Sequence, residues 1–324
     1  MLEILSGNHS GDLWDISEIV AEISWKTGRI GKASSVEFTF IKGALYQDKD
    51  FAIEPGDIIR MTKDGKGLFY GYVFSIDSGR EENVRVTAYD QVRYLMSNDF
   101  VQLKNVTATE VIRHIAGAFN LQTGELADTE HKIPTILEDG KKLLDIICKA
   151  LDLTLISTGK MYVFYDDFGE LTLRDMDTMA VYDISLGEGS LLFDYSSKRS
   201  IDSETYNYIK LMKDDKEAGG RVFHILKNSE TIARWGILQK YEKVDEKLNT
   251  EQINARLEQL MSWHNREQRS MSLQAIGDPR VRAGCYVPVF IRELGIEQMY
   301  LVEECTHKFE GADHTMQLEL KVIS

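Results

Sequence analysis

One strand-and-turn pattern occurs twice in this chain, once near each end, and no other feature limits its fold so sharply. In the first copy Gly56-Asp57 enters a half-apolar run over 58–62, and Asp64-Gly65 closes a hairpin into a long run over 68–76. A polar turn at 80–83 then leads into 84–89. In the second copy Gly284-Cys285 enters 286–290, Leu294-Gly295 turns the chain into a long run ending at Phe309, and 310–313 turns it again into 314–320. Apolar residues alternate with polar ones throughout, so one face of each strand belongs in a core and the other in solvent. The pattern predicts two related small β-barrels.

The lengths between these copies predict three domains: a first β-barrel over 1–96, an inserted α/β module over 97–200, and a second β-barrel over 201–324 with a helix at 249–268. The fold class is α+β, mainly β. In the first domain, 16–25 and 35–41 read as strands and 90–96 as a short helical cap. In the module, Thr107 and Glu110 have capping-box spacing, and Val111, Ile112, Ile115, Ala116 and Phe119 follow at helical period. A second helix is expected over 141–151, then strands over 154–156, 161–165 and 170–174. The β pattern resumes at 206–211, 221–226 and 232–241, and the helix at 249–268 carries Ile253, Leu257, Leu260, Met261 and His264 along one stripe. With only four prolines and no low-complexity linker, the domains should pack together.

Composition excludes several classes. The net charge of -14, from 52 acidic against 38 basic residues, disfavours specific nucleic-acid binding. No apolar run approaches a membrane span, and Met1-Leu2-Glu3-Ile4 lacks the basic and apolar regions of a signal peptide, so no membrane association is expected. Three widely spaced cysteines, Cys148, Cys285 and Cys305, read as small buried hydrophobes.

No catalytic, cofactor-binding or metal residue is assigned. Asp167-Phe168-Gly169 spells the kinase metal triplet without its companion loops and reads as a hairpin turn. Ser157-Thr158-Gly159-Lys160 lacks the rest of a phosphate loop, Gly187-Glu188-Gly189 lacks a third glycine, and Gly7-Asn8-His9-Ser10-Gly11 misses a nucleophile elbow. His264 reads as a hydrogen-bonded packing residue. The densest set of possible metal ligands is Glu303, Glu304, Cys305, His307, Glu310, Asp313 and His314. On the expected hairpin Glu303, Cys305 and His307 share a face and His314 returns across the turn. Metal-binding spacings are missing, and carboxylates at a turn are ordinarily solvated.

Taken in order, several modest motifs carry a resemblance. They are Gly56-Asp57, Leu68-Phe69-Tyr70-Gly71-Tyr72-Val73, Ala88-Tyr89-Asp90 with Tyr94-Leu95, 105–112, 157–163, 277–284, and His307 with His314-Thr315-Met316. Over nearly its whole length the chain resembles the late-control and XkdQ-like hub proteins of PBSX-type contractile phage tails. The resemblance implies a non-enzymatic virion baseplate protein without cofactors. Its two tail-tube-like barrels would form a homotrimeric ring of pseudo-sixfold symmetry, joining the hexameric tail tube protein to the trimeric central spike protein. Baseplate wedge proteins and the tape-measure protein would be further partners. The implied location is the tail baseplate of a phage or phage-tail-like particle, assembled in the host cytoplasm and released by lysis. Two rival readings are a peptidoglycan-degrading tail hydrolase and a carbohydrate-binding β module. The first needs a close carboxylate pair, a Cys/His pair or a zinc site. The second needs aromatics gathered on one face, whereas Trp14, Trp25, Trp235 and Trp263 are scattered along the chain.

Overall fold

The computed structural model describes residues 1–322 apart from 9, 44–46, 49, 81, 188, 216–219 and 247. The chain divides into two compact units, one of Met1–Ser196 with Met271–Ser324 and the other of Ser197–Ser270. The division differs from the expected boundaries at 96 and 200. The strands expected to begin the second barrel stand apart in the smaller unit, and the C-terminal copy of the repeat joins the N-terminal one.

The larger unit opens with β1 (Leu2–Gly7), β2 (Leu13–Asp15), β3 (Val20–Gly28) and β4 (Ser35–Ile41). The first copy of the repeat follows as β5 (Ile58–Lys63), β6 (Lys66–Ser78) and β7 (Asn83–Tyr89), capped by a 3-10 turn over Gln91–Met96. Next comes the α/β module: β8 (Asn98–Val106), α1 (Ala108–Ala118), β9 (Thr123–Leu126), β10 (Ile133–Lys142), α2 (Leu143–Thr158), β11 (Tyr162–Asp166) and β12 (Leu171–Asp175). Both halves of the expected capping box are made at α1, from the Glu110 amide to the Thr107 hydroxyl and from the Thr107 amide to the Glu110 carboxylate. The strand expected over 154–156 is instead the last part of α2. There the buried Thr154 hydroxyl donates to the Ala150 carbonyl at 2.9 Å, one turn back, so a β-branched residue is accommodated within the helix. Gly159, at φ +73°, ends it.

The two-residue β13 (Leu186–Gly187) and the longer β14 (Leu192–Ser200) precede the smaller unit's β15 (Tyr208–Asp215), β16 (Gly220–Lys227), α3 (Ser229–Trp235), β17 (Gln239–Lys243) and α4 (Thr250–His264). The strand expected over 232–241 is helical in α3 as far as Trp235 and extended only from Gln239. Asn228 accepts the Thr231 amide as its N-cap, and Gly236 stops the helix, leaving only β17 extended. The chain returns along β18 (Gln268–Ile276) and completes the second copy with β19 (Tyr286–Ile291), β20 (Ile296–Glu310) and β21 (Asp313–Lys321).

The protein is mainly β. Eleven strands lie in the order β14-β18-β21-β20-β3-β4-β7-β6-β5-β1-β2, with β19 alongside β20 and β13 alongside β19. Among the described residues no pairing closes this ladder into a barrel, and the expected two separate barrels appear as two halves of one sheet. They meet where β20 pairs with β3, from Glu304 opposite Gly28 to Phe309 opposite Ile23. Each half retains its own core. One gathers Ile4, Trp25, Phe38, Ile59 and Val86, and the other gathers Leu273, Val287, Val302 and Leu318.

The two copies match in register. β6 pairs with β5 up to Tyr72 and with β7 from Tyr72 onward, with a bulge between Val73 and Ser75. β20 pairs with β19 up to Leu301 and with β21 from Leu301 onward, with a bulge between Val302 and Glu304. Gly56 and Asp57 exchange backbone hydrogen bonds with Val73, both 2.8 Å, as Gly284 and Cys285 do with Val302, at 2.8 and 2.9 Å. The two glycines have φ of +98° and +93°. In each copy a long strand changes partner and then bulges, which bends it over its own core.

Candidate functional site

The sequence cluster at 303–314 lies at the seam between the two copies, and the structure splits it. The bulge at Glu303 shifts the alternation by one residue, so Val302 and Cys305 both point inward and the intervening glutamates point outward. Glu303 therefore does not share a face with Cys305 and His307. It receives a two-pronged ion pair from Arg29, the residue after β3, at 2.9 and 3.0 Å. Glu304 pairs with Lys32 and, at 3.7 Å, with Lys26. Glu310 and Asp313 flank the exposed tip of the hairpin.

The inward groups form a chain of hydrogen bonds. His307, fully buried, lies flat against Trp25, with ring centroids 4.9 Å apart. Its Nε2 is 2.8 Å from the Val281 carbonyl, which can only accept, so Nε2 carries the proton. Its Nδ1 then accepts from His314 Nε2 at 2.9 Å, and His314 Nδ1 accepts from the Lys63 ammonium at 2.7 Å. Burial holds the His307 imidazole down to about 4 and, with the neighbouring His307, the His314 imidazole down to about 3. Both rings are neutral near pH 7, and neither has a lone pair to spare for a metal or a substrate proton. Burial raises the Cys305 thiol well above its ordinary range, which keeps it inert. Among the described residues no three His, Cys, Asp or Glu side chains are placed to hold a metal ion.

Sequence reasoning missed the partners of this cluster: Trp25, Lys63, Val281 and Gly277. Gly277 donates its amide to the His314 carbonyl at 2.8 Å, and a β-carbon there would stand 2.2 Å from the imidazole. Only the composition of 277–284 hinted at so close an approach. The arrangement ties the β5–β6 hairpin of one copy to the β20–β21 hairpin of the other.

The remaining candidates resolve as structure. Asp167-Phe168-Gly169 is the turn between β11 and β12, and Phe168 packs edge-on against Tyr70 at 6.0 Å. Gly67 leaves room for it, since a β-carbon there would stand 2.5 Å from the Phe168 ring. Ser157 and Thr158 end α2 and Gly159 caps it. Asn8 accepts the amides of Ser10 and Asp12 in a polar loop. His9 and Glu188 lie outside the described residues. His264 ends α4, its Nδ1 3.0 Å from the Glu204 carbonyl and its ring edge-on to Tyr206.

A hydrolase would need a reachable acid. Asp90 comes nearest in character, pushed up to about 8 by burial and by neighbouring Asp166. Yet it is only 2% exposed, and its oxygens accept the amides of Ser34 and Val92, both at 3.0 Å. It pins the end of β7 to the start of β4 and cannot meet a polymer. Among the described residues no helix is long and apolar enough to cross a membrane.

Comparison with known proteins places this geometry. The YQBQ-like family model matches residues 23–321. The phage-like element PBSX protein XkdQ of Bacillus subtilis (strain 168) is 30% identical over 308 residues, covering 94% of this chain and 93% of that protein. The 43 kDa tail protein of prophage MuSo2 from Shewanella oneidensis has the same fold, with a TM-score of 0.71 at 15% identity over 98% of both chains. A tail protein from Neisseria meningitidis MC58 aligns with a TM-score of 0.72 at 13% identity, over 99% of this chain and 96% of that one.

Proposed function

The chain belongs to the YQBQ-like family, and from that membership we propose that it is a structural protein of a phage tail or phage-tail-like particle, serving as the hub of its baseplate. The observation that carries this reading is the duplicated β5–β7 and β19–β21 unit, with its matching change of partner, bulge and glycine turn. Two equivalent units in one chain can occupy quasi-equivalent places. Three copies then offer six units to a six-fold tail tube while keeping a three-fold face for a central spike. In such a ring each half of the sheet curls around its own core as a tube-like barrel, and the open edges at β2 and β14 are covered by neighbours. The tape-measure and wedge proteins would meet its inner and outer walls. The tail-protein fold supports a role without catalysis, and the inert seam chemistry agrees with it.

Electron cryo-microscopy of the particle with this chain labelled tests the reading. Three labelled copies per baseplate, with the two repeats alternating around the axis between tube and spike, are expected. A position elsewhere, or a copy number that is not a multiple of three, would overturn the hub role. Release of muropeptides from purified peptidoglycan would instead favour the hydrolase.

A further inference from the structure

The chain just before β19 forms one wall of a cleft of about 290 Å3, whose other walls are β3, the start of β6 and the β11–β12 hairpin. Three side chains of these walls carry buried N–H groups for which no described residue offers an acceptor: Trp25 Nε1, Arg174 Nε and Arg282 Nε. Folded proteins seldom leave buried donors unpaired, and three beside one cleft make a local surplus of donors. Trp25 is only 3% exposed, and its ring is fixed by the flat contact with His307.

Charge follows the same pattern. Arg282 sits with its guanidinium carbon 3.7 Å from the centroid of the Tyr165 ring, and its Nη2 donates at 3.3 Å to the backbone carbonyl of Asp166. Among the described residues no carboxylate pairs with it. Arg174 reaches only Asp167 Oδ2, at 3.4 Å, and these two side chains are 43% and 44% exposed, so the pair is weakly held. The third guanidinium on the cleft, Arg280, is already paired with Asp278 and Asp183. Two guanidiniums therefore share one loosely bound carboxylate. A cation as enclosed as Arg282 ordinarily has an anion beside it.

We propose that this cleft is a binding site for an oxyanion, a phosphate group or a carboxylate, received by Arg174 and Arg282 with the Trp25 indole as a further donor. A guanidinium fork meets either anion with two parallel hydrogen bonds, and the Tyr165 face sets the plane of one fork in advance. The cleft is at the small end of ligand pockets, which begin at about 300 Å3, so it suits a single anionic group on a small body. All of its residues belong to the larger compact unit, and the site holds whether or not the chain is a hub.

Calorimetric titration of the full-length chain with sodium phosphate and with sodium acetate, each at fixed pH and against sodium chloride of equal ionic strength, tests it. Saturable binding of at least one of the two anions, at one site per chain, is expected. Phosphate alone would mark a phosphoryl ligand, and acetate alone a carboxylate. Arg174→Gln and Arg282→Gln should each weaken that binding at least about tenfold, the loss of a charge-assisted hydrogen bond. Arg85→Gln, at an exposed ion pair with Glu37, should bind like the parent. If Arg282→Gln loses the near-ultraviolet circular dichroism of the parent, Arg174→Gln, at a half-exposed position, decides alone. The indole N–H signal of Trp25 in nitrogen-15 spectra, assigned with Trp25→Phe, should move along the same binding curve while those of Trp14, Trp235 and Trp263 stay in place. No saturable heat with either anion, an Arg174→Gln chain that binds like the parent, or a Trp25 signal unmoved at saturation would each overturn the proposal. None of these outcomes bears on the copy number that tests the hub.

Discussion

At the scale of single residues, the seam is held by a fully buried imidazole, His307, bonded to a half-buried one, His314. His307 and His314 stay neutral in the fold, whereas in an unfolded chain each ring titrates near its ordinary 6.5. Between those values the unfolded state binds more protons, so the fold has its full stability above about pH 6.5 and loses it as pH falls toward about 4. For His307 the shift corresponds to about 3 kcal/mol at most. Urea midpoints measured across this range should fall with pH. The variant His307→Gln/His314→Gln should show a flatter profile over the same range, carboxylates contributing equally to both. An unchanged slope would mean that the imidazoles are not buried as described.

At the scale of elements, the copies share one glycine turn. Gly56 and Gly284 both hold a positive φ, so alanine should cost about 1–2 kcal/mol at either from backbone strain. At Gly284 a β-carbon would also stand 2.7 Å from Val163 on β11, adding about 1–3 kcal/mol of overpacking. Gly284→Ala should therefore cost more in chemical denaturation than backbone strain alone, and a loss confined to about 1–2 kcal/mol would refute the overpacking against Val163. These elements were legible because alternation and turn glycines are local. The β3–β20 pairing was not, because it joins residues 278 apart and leaves no local trace. Two misread segments, at 154–156 and 232–241, turned on single side-chain hydrogen bonds, from the Thr154 hydroxyl and to the Asn228 carboxamide. At the site, the residues His307 and His314 were visible, but one bulge decided which neighbours faced them. Trp25 and Lys63 arrive from other strands with no motif of their own.

At the scale of the whole molecule, the two compact units should melt separately. The smaller has its own core of Ile209, Leu211, Val244, Ile253, Leu257 and Leu260, and Arg199 meets Glu267 at 2.6 and 2.9 Å where the chain enters and leaves it. Calorimetry should show two transitions, the smaller of which vanishes when 200–267 is replaced by a short Gly-Ser turn. A single transition that survives the replacement would show that the unit has no independent stability. The seam has a consequence in time as well. Thr27 accepts the Ala283 amide and its hydroxyl lies 3.5 Å from the Cys305 carbonyl, so β3 waits for a strand made some 278 residues later. At about 5–20 residues per second, a ribosome takes roughly 15–60 s to supply it. Throughout that interval the nascent β3 offers an unpaired edge to other nascent chains on the same message, and only the arrival of β20 removes the offer.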